Sequence, residues 1–98
     1  LVYTRDTLTA PADLFRARLD GSKERRVTRL NAERLTDVRM GAFEQFRFQG
    51  WNDEIVHGYV VKPWNYEAGK TYPVAFIIHG GPQGSMGNSF HYRWNPQT

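Results

Sequence analysis

The chain has 98 residues, a formal net charge of +3, no cysteine and 40 % hydrophobic residues. That length holds one domain at most, since domains usually run to roughly 100–150 residues, and the absence of cysteine excludes disulfides, thiolate metal sites and cysteine nucleophiles. An aromatic content of 14 % is that of a folded chain rather than a disordered one, and no apolar run approaches the roughly 20 residues needed to span a bilayer.

Taken in order, the first forty residues read as short antiparallel strands. Leu1-Val2-Tyr3-Thr4 is a β-rich run, and Ala10-Pro11-Ala12 is expected to break the chain. Residues 13–19 alternate, with Phe15, Ala17 and Leu19 on one face and Arg16 and Arg18 on the other. Asp20-Gly21 supplies a turn where positive φ is cheap, so residues 24–30 are expected to pair back as the second arm of a hairpin. Asn31 to Leu35 fits a helical turn or a loop. Further on, Phe46 and Phe48 share one face of a strand, Gly50-Trp51-Asn52-Asp53 reads as a turn, and residues 55–61 form a second strand that Lys62-Pro63 ends. Residues 64–72 read as a loop. Val74-Ala75-Phe76-Ile77-Ile78 is a continuous apolar run between Pro73 and a glycine turn, the pattern of a strand buried on both faces in a parallel sheet.

Charge is spread unevenly. Residues 1–40 hold nine Lys/Arg against six Asp/Glu, and residues 41–98 hold four against four. Arg16, Arg18, Lys23, Arg25, Arg26, Arg29, Arg34 and Arg39 are interleaved with Asp13, Asp20, Glu24, Glu33 and Asp37. With no nucleic-acid motif beside them, they read as the solvated face of a sheet and not as a nucleic-acid footprint.

The residues that carry chemistry are His79, Gly80, Gly81 and Pro82, at the carboxyl end of the apolar run. In open α/β sheets ligands bind outside the carboxyl ends of strands. Paired glycines let the backbone turn sharply and bring bare N–H groups close to a substrate. Such a donor, aimed at a developing oxyanion, stabilises the tetrahedral intermediate of acyl transfer. An HGG-type loop after the third strand is one half of the oxyanion hole in α/β-hydrolases; an ordinary strand-end turn is the competing reading.

The run Tyr72-Pro-Val-Ala-Phe-Ile-Ile-His-Gly-Gly-Pro-Gln-Gly84, followed by Tyr92-Arg-Trp-Asn-Pro-Gln97, resembles the prolyl oligopeptidase family of serine peptidases. The likeness is to the branch of acylaminoacyl peptidases and dipeptidyl-peptidase V enzymes. Gly50-Trp51 and Val60-Val61-Lys62-Pro63 resemble that family's entry into its hydrolase domain, and Ala10-Pro11-Ala12-Asp13-Leu14-Phe15 and Leu30-Asn31-Ala32-Glu33 its last propeller blade. The resemblance implies that residues 1–40 end a β-propeller and residues 41–98 begin an α/β-hydrolase peptidase domain. It further implies hydrolysis of short peptides by an acyl-enzyme mechanism with a Ser-Asp-His triad, without metal or organic cofactor, and without a nucleic-acid or membrane partner. Carried over by residue, it assigns His79, Gly80 and Gly81 to the oxyanion loop, with Gly81 as the backbone donor. Some branches have a tyrosine where this chain has His79, whose side chain therefore either serves the oxyanion or packs. The chain starts at Leu1 and stops at Thr98, and the expectation is a fragment whose triad lies outside these residues.

Other constellations are weaker. Gln83-Gly84-Ser85-Met86-Gly87 nearly matches a G-x-S-x-G nucleophile elbow, but Gln83 stands where glycine should and no strand precedes the serine. His57 is expected to pack, and His91, among Phe90, Tyr92 and Trp94, to pack or line a pocket. Two alternatives stand beside the peptidase: an esterase of the same fold, and a non-catalytic β-rich interaction module using Trp51, Trp64 and Trp94.

Overall fold

A computed structural model of the chain describes residues 1–81 and 83–97. They form two antiparallel sheets and almost no helix. The first sheet holds β1 (Val2–Thr7), β2 (Ala10–Arg16) and the two-residue β3 (Arg25–Arg26) in the order β1-β2-β3. The second is the hairpin of β4 (Phe43–Gln49) and β5 (Ile55–Val61), in continuous register from Phe43 opposite Val61 to Gln49 opposite Ile55.

The chain does not break at Pro11, which lies inside β2. The β1–β2 register slips between Arg5 opposite Asp13 and Thr7 opposite Ala10, so that Pro11 and Ala12 face the single residue Asp6. A bulge is where a strand tolerates a residue without an N–H. The alternation then sends Pro11, Asp13 and Phe15 inward and Ala12, Leu14 and Arg16 outward. Phe15 is on the expected face, but Leu19 is not in the strand. Arg18 donates to the Ser22 carbonyl at 2.9 Å and accepts from Gly21 at 3.0 Å, and this turn leaves Leu19 at an exposed tip. Gly21 has the expected positive φ, +80°. The returning arm pairs over Arg25–Arg26 and adds a bond from Val27 N–H to the Leu14 carbonyl at 2.7 Å.

The core of this sheet is small. Leu8 and Phe15, 4 % and 9 % exposed, are its buried hydrophobic residues among those described. The Arg5 guanidinium lies 4.1 Å above the Phe15 ring, Tyr3 stacks beside it at 6.3 Å, and Glu24 accepts from both Tyr3 and Arg5. The bond to Glu24 pushes the Tyr3 phenol above its ordinary pKa.

Asp13, read from the sequence as part of a solvated face, is buried at 3 % exposure. The bulge turns it inward, and burial is tolerable because every side of the carboxylate is bonded. Oδ1 accepts from Leu30 N–H at 3.0 Å and the Thr28 hydroxyl at 2.7 Å, and Oδ2 accepts from the Arg26 guanidinium. These bonds, the Leu30 N–H first, hold the Asp13 carboxyl down at about 2.

In the second sheet Phe46 and Phe48 share a face, as expected, with their rings 6.1 Å apart. The hairpin closes through a turn at Trp51–Asp53 in which Asn52 and Asp53 have φ of +55° and +61°. Lys62 donates a last ladder bond to the Ala42 carbonyl at 2.9 Å before Pro63 ends the pairing.

The expected strand over residues 74–78 does not form. Those residues are irregular and exposed, Val74 at 87 % and Phe76 at 78 %. A strand exists by its ladder, and no described strand lies beside this run to supply one. The parallel α/β sheet is therefore absent from the described residues, which are β-rich and antiparallel.

Candidate functional site

The loop of His79, Gly80 and Gly81 emerges from that irregular run, and Pro82 lies outside the described residues. Gly81 has φ +92°, in the region that disfavours any side chain. A Cβ on Gly80 or Gly81 would meet nothing within 4 Å, so the loop backbone faces open space. Among the described residues neither N–H finds an acceptor. Exposed backbone donors with no acceptor among the described residues can bind an anionic or developing oxyanionic atom.

The His79 side chain turns back on its own loop. Nδ1 lies 2.7 Å from the Gly80 carbonyl and Nε2 2.9 Å from the Gly84 carbonyl. A neutral imidazole carries one N–H and donates to one of the two, the tautomer selecting which. With the proton on Nε2, the ring ties His79 to the Gly84 carbonyl. A Cβ on Gly84 would meet His79 Cε1 at 3.5 Å, an ordinary van der Waals contact.

Ser85 follows Gly84 as an exposed loop residue with neither a strand before it nor a helix after it. The elbow geometry that would activate it is missing among the described residues. His57 does not pack as expected: it sits exposed on β5 opposite Arg47. Among the described residues no second layer covers the β4–β5 sheet, so His57 has no inward-facing position there. His91 is half-buried beside the edge-to-face pair of Phe90 and Tyr92, whose rings are 5.1 Å apart. Among the described residues no group of three or more His, Asp or Glu could hold a metal ion, and no helix is long and apolar enough to cross a membrane.

Two features escaped the sequence reading. Gln97 bonds both peptide groups of Gly41, accepting from its N–H at 2.9 Å and donating to its carbonyl at 3.1 Å. Gly41 is buried, and a Cβ there would fall 1.6 Å from the Lys62 carbonyl oxygen. Beside this pair a shallow cleft is lined by Arg39, Val61, Pro63, Trp64 and Pro96, with Arg39 5.2 Å above the Trp64 ring. Lys62, at its rim, pairs with Glu44 at 2.8 Å, a bond that raises its pKa. The second feature joins residues 88–90 to the β1–β2 hairpin. Leu8 N–H donates to Asn88 Oδ1 at 2.8 Å, and Phe90 N–H donates to Asp6 Oδ2 at 2.6 Å. Both features link residues more than 50 apart in sequence, and local patterns carry no trace of such pairs.

No protein-family profile matches the chain, and no solved structure matches it. Curated proteins do. Dipeptidyl-peptidase 5 of Schizosaccharomyces pombe is 40 % identical over 74 residues, which is 71 % of this chain and 11 % of that protein. Dipeptidyl-peptidase 5 of Trichophyton equinum is 55 % identical over 43 residues, 44 % of this chain and 6 % of that protein. A protein of Aspergillus clavatus named as a probable dipeptidyl-peptidase 5 is 54 % identical over 52 residues, 52 % of this chain and 7 % of that protein. The chain thus spans about a tenth or less of the length of these relatives. With 40–55 % identity over those stretches, the chain is a relative of the dipeptidyl-peptidase 5 proteins, in the branch of the prolyl oligopeptidase family that its sequence resembles.

Proposed function

We propose that the chain is part of a serine peptidase that removes dipeptides from short peptides through an acyl-enzyme. The observation that carries this reading is its identity to proteins named dipeptidyl-peptidase 5. In this reading residues 1–40 end a β-propeller and residues 41–98 begin the α/β-hydrolase domain. The loop of His79, Gly80 and Gly81 supplies half of the oxyanion hole, and the Ser-Asp-His triad is contributed from outside these residues. The free N–H and open surroundings of Gly81 support its place as the donor. As the scissile carbonyl becomes tetrahedral its oxygen gains negative charge, and a donor fixed beforehand stabilises that charge without reorganising. His79 would act by bracing the loop through the Gly84 carbonyl, leaving the backbone rather than the imidazole to meet the substrate.

The test is single-turnover acylation of a chromogenic dipeptide amide by the full-length protein and its variants. Gly81→Pro deletes the N–H and, with φ locked near −65°, also conflicts with the +92° of the native turn. It is expected to cut the catalytic constant roughly a hundredfold or more with the Michaelis constant little changed. Gly81→Ala keeps the N–H and is expected to lose less. A folded Gly81→Pro variant that acylates at the parental rate would overturn the assignment of Gly81. Turnover of an aryl ester with none of the dipeptide amide would replace the peptidase by an esterase.

A further inference from the structure

The segment that follows the HGG loop is held at both of its ends. At one end the Gly84 carbonyl meets His79 Nε2 at 2.9 Å. At the other, two bonds cross from residues 88–90 to a hairpin 80 or more residues earlier. The Asn88 side chain accepts from the Leu8 N–H at 2.8 Å, and the Asp6 carboxylate accepts from the Phe90 N–H at 2.6 Å. The exchange is reciprocal: each partner gives one backbone N–H and one side-chain oxygen. Asp6 is the residue opposite the Pro11–Ala12 bulge, and Leu8 lies in the β1–β2 turn and is buried. The bulge turns the strand locally, and the turn leaves an N–H with no ladder partner. The hairpin end therefore offers one acceptor and one donor at once, matched to the Phe90 N–H and the Asn88 amide oxygen.

We infer that Asp6 and Asn88 form a latch fixing residues 84–90 on the β1–β2 hairpin, and that Asp6 is a positioning residue for the HGG loop. The second half of this inference rests on the reading of that loop as an oxyanion site; the latch itself does not. Its consequence is a mechanical link. A displacement of the hairpin is carried by residues 88–90 to Gly84, and from Gly84 to the His79 ring in the tautomer whose Nε2–H donates to the Gly84 carbonyl. An oxyanion donor displaced by even 1 Å can lose about a hundredfold in rate, so the amino-terminal sheet would set the loop's catalytic register while touching no substrate.

The experiment uses the full-length protein with Asp6→Ala, Asp6→Asn, Asn88→Ala and Asn88→Asp. Hydrogen exchange of a peptide covering residues 83–97 reads the latch without reference to activity. Both alanine variants are expected to speed exchange there roughly tenfold, as loss of a charged or buried hydrogen bond allows. Asp6→Asn and Asn88→Asp keep the accepting oxygen and are expected to restore protection. The same alanine variants should lower the catalytic constant about tenfold and leave the Michaelis constant near the parental value. Unchanged exchange in folded Asn88→Ala, whose side chain lies on the surface, would overturn the latch even if Asp6→Ala fails to fold. Faster exchange with an unchanged catalytic constant would overturn the positioning role of Asp6. A parental protein without peptidase activity would remove the proposed function and leave the exchange result standing.

Discussion

Single residues decide whether the amino-terminal sheet holds its returning arm. Asp13 accepts from three partners on that arm and is held at about 2 against an ordinary 3.8. A carboxyl depressed in the folded state contributes stability that is fully present above its unfolded pKa and is lost as pH falls through the folded one. In the full-length protein, hydrogen-exchange protection of residues 13–30 is therefore expected to fall steadily from about pH 5 towards pH 2 once the intrinsic pH dependence of exchange is removed, and Asp13→Asn should flatten that dependence. Protection independent of pH across that window would contradict the bonding described. Gly41 gives a sharper test. A methyl there would overlap the Lys62 carbonyl, and the atoms it meets are Lys62–Pro63 backbone with no side chain to yield. Gly41→Ala is expected to cost about 3 kcal/mol or more and to expose the start of β4 to hydrogen exchange. Gly81→Ala has open space around its Cβ and only the positive φ against it, so it should cost about 1 kcal/mol.

At the scale of elements, the β4–β5 hairpin depends on its turn. Asn52 and Asp53 both occupy the left-handed region, which asparagine and aspartate enter more readily than other residues with a Cβ. The Gln49 side chain adds a bond to Asp53 Oδ1 at 2.8 Å. Asn52→Val places a β-branched residue where it is strained, and is expected to destabilise the hairpin by about 1–2 kcal/mol. The check is faster exchange across residues 43–61, and an unchanged pattern would mean the turn does not set the pairing. Midway along the hairpin, Gly58 leaves room for the Phe46 ring, whose Cζ lies 2.7 Å from where a Cβ would stand. That cross-strand fit explains a glycine in the middle of an apolar strand.

The whole molecule is expanded for its length. Its radius of gyration is 16.3 Å, against about 13 Å for a compact domain of this size. Val74, Phe76, Ile77 and Ile78 are all exposed, and burial of such side chains is the main favourable term in folding. The isolated 98-residue chain is expected to bind a hydrophobic dye and to melt without a cooperative transition. A sharp melt above 60 °C would show a core that the structure does not contain. A fluorophosphonate probe should not label the isolated chain, and labelling abolished by Ser85→Ala would restore the elbow reading of that serine.

Alternation and turn chemistry made β1, the return of residues 25–26 onto β2, the β4–β5 hairpin and its end at Pro63 legible, because each is decided by residues a few positions apart. The motif of His79, Gly80 and Gly81 was legible for the same reason, and with it the likeness to peptidases. The sequence alone could not place Pro11 within a strand, since a bulge is a property of two strands and not of one. Nor could it bury Asp13, whose carboxylate becomes tolerable inside only when Thr28, Leu30 and Arg26 arrive together. The apolar run at 74–78 predicted a strand, and tertiary structure overruled it: hydrophobicity makes a segment fit for a ladder, but only a neighbouring strand can supply the bonds. The ties from Asp6 and Leu8 to residues 88–90, and from Gly41 to Gln97, were likewise settled in three dimensions. They join positions whose separation along the chain leaves no periodic or local signal, and only folding brings a donor and an acceptor within reach.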